Sequence, residues 1–174
     1  NRVIDIVRNI FKDRFLGYEI NIPEALKEMR EEYVSMSVLT QIFFLYTCRA
    51  NRLLVDFIIE VYFKKLNSGY HNLKASDPKD FIKVALSDGR ISSSWSESTM
   101  SKVSEHIIAT LIDFELIERN KTILNFRIID LSANYLAHEL HFRGISDNNL
   151  WQHEDWKLFG LMPNDVISIF ERLA

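Results

Sequence analysis

The chain has 174 residues, 47% of them apolar, with 21 basic and 24 acidic side chains. This balance excludes the disordered and fibrous classes. The single cysteine excludes a disulfide framework and zinc-ribbon sites and favours the cytoplasm. Five glycines and three prolines are too few for an all-β fold, and the net charge of −3 gives no overall attraction to nucleic acid.

The N-terminal region, residues 1–49, has the periodicity of helices. Apolar side chains recur at helical spacing over residues 3–15, and Pro23 suits the first turn of a second helix. The uncharged segment 33–48 is strongly apolar, but its sixteen residues fall short of the roughly 20 that cross a bilayer. We therefore expect a buried core helix there and no membrane span.

Helical spacing continues through the next segment of the chain. It runs from residue 37 to residue 66, with a possible break at 47–49. Asp77 and Pro78 mark the start of a short helix that ends near residue 87. A serine-rich turn follows, and Ser96 is suited to cap a longer amphipathic helix.

The hydrophobic period then changes from helix to strand. Alternation over residues 123–128 is typical of a strand, and residues 116–118 are placed to pair with it across a turn at Asn120 and Lys121. We interpret this segment as a small β-hairpin. The remaining sequence is again helical: residues 131–143, a short piece at 147–156, and a last helix after Pro163.

The order of these elements predicts a mainly α protein. A helical N-terminal region (1–49) precedes a winged helix-turn-helix with its hairpin (50–129), and a helical C-terminal region (130–174) packs on the same core. In winged domains the longer helix enters the major groove of duplex DNA and the wing contacts phosphate. The predicted DNA-binding residues lie in the first turns of that helix and around the wing: Ser98, Thr99, Ser101, Lys102, Arg119, Lys121 and Arg127.

A protein-interaction module is the alternative, because the same order of elements occurs in domains that bind other proteins. Residues 130–174 hold three basic and seven acidic side chains, so the acidic surplus lies away from the proposed DNA face. An acidic C-terminal region is suited to a basic protein partner. Both interpretations stay open at this stage.

Three blocks of the sequence resemble the BrxA family of BREX phage-exclusion systems. They are Phe44–Ile58, the run Trp95–Thr99 with Lys102, and the tail Trp156–Leu161 with Asp165 and Val166. The blocks occur in the same order as in the family, and the resemblance covers about residues 37–174. It implies an α-rich DNA-binding accessory protein with helix-turn-helix character, encoded beside a methyltransferase and other defence components, and no catalytic residues. We predict no cofactor, because the five glycines are scattered singly and form no phosphate-binding loop.

Other candidate sites receive a structural interpretation. His138 and His141 lie three residues apart on a helix, but no third metal ligand has a diagnostic spacing, and we predict no metal site. The cluster His153–Asp155 has acid and base groups between two tryptophans, an arrangement that more often docks a terminal helix. Cys48 is expected to be a buried, inert thiol.

Two arginines near the start of the third long helix have a DNA-contact interpretation and a structural one. Arg49 and Arg52 are either phosphate contacts or partners of Asp56. The spacing of Arg52 and Asp56 favours a structural ion pair.

Overall fold

The structure is a computed structural model that describes residues 11–16, 21–32 and 34–173. The described residues divide into two compact units. The first unit combines residues up to 52 with residues from 127 onward, and the second unit contains residues 53–126. The predicted helix over residues 3–15 lies mostly outside the described residues, which show its end as α1, Lys12–Phe15.

Local capping signals fix the helices α2 and α3 of the first unit. The Asn21 side chain accepts a hydrogen bond from the Glu24 amide, and Pro23 lies in the first turn of α2, Ile22–Glu31. The Ser35 hydroxyl accepts from the Val38 amide at the start of α3, Met36–Arg49. The apolar segment is therefore a core helix, as predicted: its buried side chains pack with those of α2 in one hydrophobic cluster.

The C-terminal region supplies the rest of the first unit. It contains α8 (Asp130–Phe142), the short α9 (Asp147–Leu150), a 3₁₀ segment (Glu154–Phe159) and α10 (Pro163–Leu173). Phe159 packs edge-on against Phe44 of α3, with ring centroids 5.7 Å apart. Trp156 is buried and donates its indole N–H to the Leu150 carbonyl at 2.8 Å. These contacts bury large aromatic area against α3 and hold the C-terminal region on its core.

The second unit begins inside a long helical segment. α4 (Arg52–Phe57) passes into a π-helical stretch (Ile58–Phe63) and then into α5 (Lys64–Asn67). The chain breaks between α3 and α4 at Ala50 and Asn51, slightly later than predicted. α6 (Asp77–Ser87) and α7 (Glu97–Asp113) follow and pack against each other.

The prediction of two hairpin strands is wrong, because the described residues of this segment form no β-strand. Isolated bridges occur instead, between Ile117 and Ile123 and between Asn72 and Thr122. The Leu124 amide still donates to the Leu116 carbonyl at 2.9 Å, but the next rung does not form because the Leu116 amide donates to Leu111. The Leu124 carbonyl instead accepts the Tyr62 hydroxyl at 2.8 Å and the Phe126 amide at 2.9 Å. The segment is thus a tight turn tied to its neighbours and not a two-stranded wing.

Candidate nucleic-acid interface

Helix α7 carries four of the seven predicted DNA-binding residues and follows α6 after a turn. Arg90 organises this turn, because its guanidinium lies 2.8 Å from Asp88 and 2.7 Å from Glu60 of the π-helical stretch. The hydrogen bond to Asp88 is the main reason that the pKa of Arg90 is raised. The guanidinium also lies over the Phe81 ring of α6, 5.2 Å from its centroid. These contacts hold the turn in one conformation, so the position at which α7 begins is fixed.

The first turn of α7 presents small polar groups and one cation. The Ser96 hydroxyl accepts the Thr99 amide at 3.1 Å and lies 2.9 Å from the Thr99 hydroxyl. Ser98, Thr99 and Lys102 are exposed, and Ser101 is half-buried. Ser98 and Lys102 are one helical turn apart and share the outer face, while Met100 points into the core. Lys102 forms no ion pair among the described residues, so its ammonium is available for phosphate.

A groove of about 440 Å³ runs along another face of α7. Its polar lining brings together Ser101 of α7, Lys79 of α6 and Lys121 of the tight turn, with Glu105 as a carboxylate. Lys79 also binds Glu97 at 2.5 Å, and this hydrogen bond is the main reason that the pKa of Glu97 is lowered. Two ammonium groups and a hydroxyl thus line one groove beside the helix that the sequence singles out.

Lys79 is a residue that the sequence analysis missed. Its signal is the helix start at Asp77 and Pro78, which places Lys79 and Lys83 one turn apart on α6. In a helix-turn-helix interpretation, α6 is the helix that precedes the recognition helix, and Lys79 and Lys83 give α6 a basic face near it.

The tight turn holds Arg119 and Lys121. Lys121 has a left-handed backbone with φ of +69°, and its amide donates to the Glu118 carbonyl at 2.8 Å. The Asn120 side chain accepts the Thr122 amide at 3.0 Å. On the other side, the Lys121 carbonyl accepts the Leu73 amide at 3.0 Å. Arg119 is exposed at the tip, so a short but well-braced turn presents it to solvent.

Arg127 falls in the first unit, whereas the other six predicted residues fall in the second. Its carbonyl accepts the Gln41 side-chain amide at 2.7 Å, and the Gln41 carbonyl oxygen accepts the Ile129 amide at 2.9 Å. These two hydrogen bonds connect the chain around residue 127 to α3. The second unit itself holds nine basic and ten acidic side chains, so its basic groups act locally and not through net charge.

The acid and base groups considered for catalysis or metal binding are engaged with one another. His141 lies 3.0 Å from Asp147, and the His153 ring lies 3.4 Å from Asp155. Within residues 11–16, 21–32 and 34–173, no group of three or more metal-ligating side chains is close enough to hold an ion. Asp155 in turn binds Arg49 at 2.6 Å. The cluster around Asp155 is therefore a buried ion network in the first unit.

Arg49 lies at the centre of that network. Burial alone lowers the pKa of its guanidinium, but hydrogen bonds and charges from Glu139 and Asp155 outweigh burial, and the pKa is raised. Arg49 therefore stays charged and holds two carboxylates in the core. Arg52, in contrast, is exposed and lies 3.7 Å from Glu154.

In the comparison with known families, the BrxA family model matches residues 1–139. The chain belongs to the BrxA family. The match includes the N-terminal helices and ends in α8, so the tail block at 156–166 lies outside it. No curated protein and no solved structure matches the chain significantly. BrxA-family membership makes the chain a component of a BREX phage-defence system.

The described helices also bear on membrane insertion. None of those in the described part of the chain is both long enough and apolar enough to span a bilayer. In this BrxA-family chain the longest apolar helix, α3, is instead packed in the hydrophobic cluster of the first unit.

Proposed function

We propose that the chain is a non-enzymatic accessory protein that binds double-stranded DNA within a BREX phage-defence system. One observation carries the proposal: the exposed Lys102 at the start of α7 shares its unit with a groove where Lys79, Ser101 and Lys121 come together. Ammonium and hydroxyl groups beside a helix N-terminus are suited to DNA phosphates.

The order of elements in the second unit supports a winged helix-turn-helix interpretation. The long segment α4 to α5 leads into α6, the braced turn, α7 and then the tight turn with Arg119. Residues 71–73 and 121–123 exchange hydrogen bonds, which places a short extended segment beside the tight turn. A winged domain has its strands and wing in these positions, and here they are reduced to single bridges.

We propose a protein without enzymatic activity because the candidate acid and base side chains are already bound to other side chains. Asp155 is bound by Arg49, and His141 by Asp147. The proposal places the protein in the cytoplasm, since its one thiol, Cys48, is buried and needs no oxidising compartment. DNA and the other BREX components are the expected partners.

Fluorescence anisotropy with labelled duplex DNA at two salt concentrations tests the proposal. We expect binding with modest sequence preference that weakens steeply as salt rises, because phosphate contacts release counterions. The double variant Lys102→Glu with Lys121→Glu should bind much more weakly while its unfolding transition stays unchanged. Lys27→Glu with Lys157→Glu changes net charge equally in the first unit and should bind like the wild type.

A protein adaptor is the second candidate, favoured by the acidic surplus in residues 130–174. If duplex DNA does not bind at low salt while another BREX component co-purifies with the chain, the adaptor function replaces DNA binding. If the folded Lys102/Lys121 variant binds DNA like the wild type, the placement of the site is wrong.

A further inference from the structure

Helix α8 has an outward stripe that the DNA-binding proposal does not use. Leu131, Asn134, His138 and His141 recur at helical spacing along it, and Ala137 lies beside them. The opposite face of α8 is buried in the core of the first unit through Ala133, Leu136, Glu139 and Leu140. We call the five outward residues the α8 stripe.

Three neighbouring grooves lie along the α8 stripe and overlap in their lining. The first lies toward α2 and is lined by Met29 and Val34 in addition to stripe residues. The second shares Asn134 and His138 with the first and extends to Leu150 and Phe170. The third shares Ala137, Leu150 and Phe170 with the second and reaches Ile167 of α10. Together they form one continuous surface across the described part of the first unit.

Much of this surface is apolar and incompletely covered. Leu131 is 46% exposed and Ile167 is 36% exposed. Val166 is the buried residue of α10, although that helix has a strongly apolar face. An exposed apolar strip rimmed by polar residues is suited to interaction with another molecule.

The charge of the surface identifies the kind of molecule. Four carboxylates line the grooves: Glu28 and Glu32 on the α2 side, and Asp147 and Glu171 on the other side. Among the residues that the structure describes, no lysine or arginine lines any of the three grooves. In the same described ranges, Glu28, Glu32 and Glu171 form no ion pair within 4 Å, and Asp147 pairs with His141. The rim therefore attracts cations and repels a nucleic-acid backbone.

We propose that the α8 stripe and its acidic rims form a docking site for a basic amphipathic helix of a protein partner. The apolar face of that helix packs on Leu131, Leu150 and Ile167, and its lysines and arginines pair with the carboxylates on both rims. From Leu131 to His141 the stripe is about 15 Å long, which matches roughly three turns of a partner helix. This site is additional to the proposed DNA face, which lies in the other unit, and does not depend on it.

A second copy of the chain fits the site less well. Its net charge is −3, and the same surface on a second copy has the same four carboxylates. Like charges facing each other across an interface weaken association. A basic helix instead neutralises both rims at once.

A synthetic peptide tests the site in the full chain. The probe is a labelled, end-capped helical peptide of about 18 residues, with leucines at i, i+3, i+4 and i+7 and lysines or arginines elsewhere. A scrambled peptide of the same composition has no apolar face, and it separates helix docking from simple charge attraction. Fluorescence anisotropy should show that the amphipathic peptide binds at least about tenfold more tightly than the scrambled one.

Matched variants place the binding on the α8 stripe. Leu131→Asp should weaken the amphipathic peptide about tenfold or more, whereas Phe142→Asp, on the same helix outside the grooves, should not. Glu32→Lys with Glu171→Lys should also weaken it, whereas Asp80→Lys with Asp113→Lys makes the same charge change in the second unit. Thermal unfolding of each variant verifies that the first unit is folded.

Two results overturn the proposal. In the first, both peptides bind equally, or Leu131→Asp and Phe142→Asp behave alike. In the second, sedimentation shows a dimer that Leu131→Asp dissociates, so the occupant is a second copy. A failure of the Lys102/Lys121 experiment leaves this site unaffected, since the peptide assay contains no DNA.

Discussion

Arg49 and Glu139 are joined by two parallel hydrogen bonds, from Nη1 to Oε1 at 2.8 Å and from Nη2 to Oε2 at 2.7 Å. Asp155 accepts two more from the same guanidinium, at 3.0 and 2.6 Å. The three groups come from α3, α8 and the 3₁₀ segment, so one arginine connects the N-terminal and C-terminal parts of the first unit. Geometry of this kind is bidentate and specific to arginine.

Arg49→Met should strongly destabilise the first unit. The change leaves Glu139 and Asp155 buried without their cation, which costs about 3–5 kcal/mol of unfolding free energy. Urea denaturation followed by circular dichroism measures the loss. Arg49→Lys keeps the charge but not the paired geometry and should lose less. A loss below about 1 kcal/mol for Arg49→Met contradicts the assigned role.

Cys48 should be unreactive in the folded protein. Burial, and then the charge of Asp155, raise the pKa of its thiol, so at pH 8 the thiol stays protonated and inaccessible. The pKa is raised only in the folded state. The contribution of the Cys48 thiol to the free energy of unfolding therefore decreases as the pH rises above the pKa of this thiol in the unfolded chain, about 8.5. A thiol reagent should therefore react slowly with the native protein and completely in urea. Fast labelling of the native protein is the contrary outcome, and Arg49→Met should accelerate the reaction.

Glu97 should titrate below the ordinary range of a glutamate. The Lys79 hydrogen bond is the main cause, followed by the charge of Lys79. At pH values above the ordinary glutamate pKa, the ion pair of Lys79 and Glu97 stabilises the folded state. This stabilisation is lost as the pH falls through the lowered pKa of Glu97. Lys79→Met should move the pKa of Glu97 upward in an NMR titration, whereas Lys64→Met should leave it in place. An unchanged titration in Lys79→Met shows that the pair does not form in solution.

Ser96→Ala should remove the N-cap of α7. The serine hydroxyl satisfies the Thr99 amide, and loss of such a cap costs about 1 kcal/mol. The decrease is measured by thermal or urea unfolding. Ser96→Asp, which retains an acceptor, should recover most of it, and Ser94→Ala in the preceding turn should have little effect. Equal effects of the two alanine variants contradict the cap.

The helices were the predictable part of this fold because their start signals are local. Pro23 lies in the first turn of α2 and Ser96 caps α7, both as the sequence indicated, since a helix start depends only on the next few residues. The hairpin was not predictable from alternation alone. The Leu124 carbonyl is occupied by the hydroxyl of Tyr62, 62 residues earlier in the chain, and no local pattern reveals that bond.

The candidate site was predictable only in part, for the same reason. Ser98 and Lys102 follow directly from the cap at Ser96, because the helix start fixes which residues form its first turns. Arg127 was placed with them on a strand of the predicted hairpin, whereas Gln41 of α3 binds the chain at that residue in the first unit. Arg49 was considered as a phosphate contact or a partner of Asp56, whereas its carboxylate partners lie 90 and 106 residues away.

The salt dependence of DNA binding should report how many cations contact phosphate. Three basic groups of the second unit are placed for this, namely Lys102, Arg119 and Lys121, whereas Lys79 is bound to Glu97. Each neutralised phosphate contributes about −0.9 to the slope of log K against log salt, so three contacts give a slope of about −2.7. Lys102→Ala should reduce its magnitude by about one, whereas Lys157→Ala, an exposed lysine of the first unit, should leave it unchanged. If Lys102→Ala weakens binding without changing the slope, Lys102 acts on the structure of α7 and does not contact phosphate.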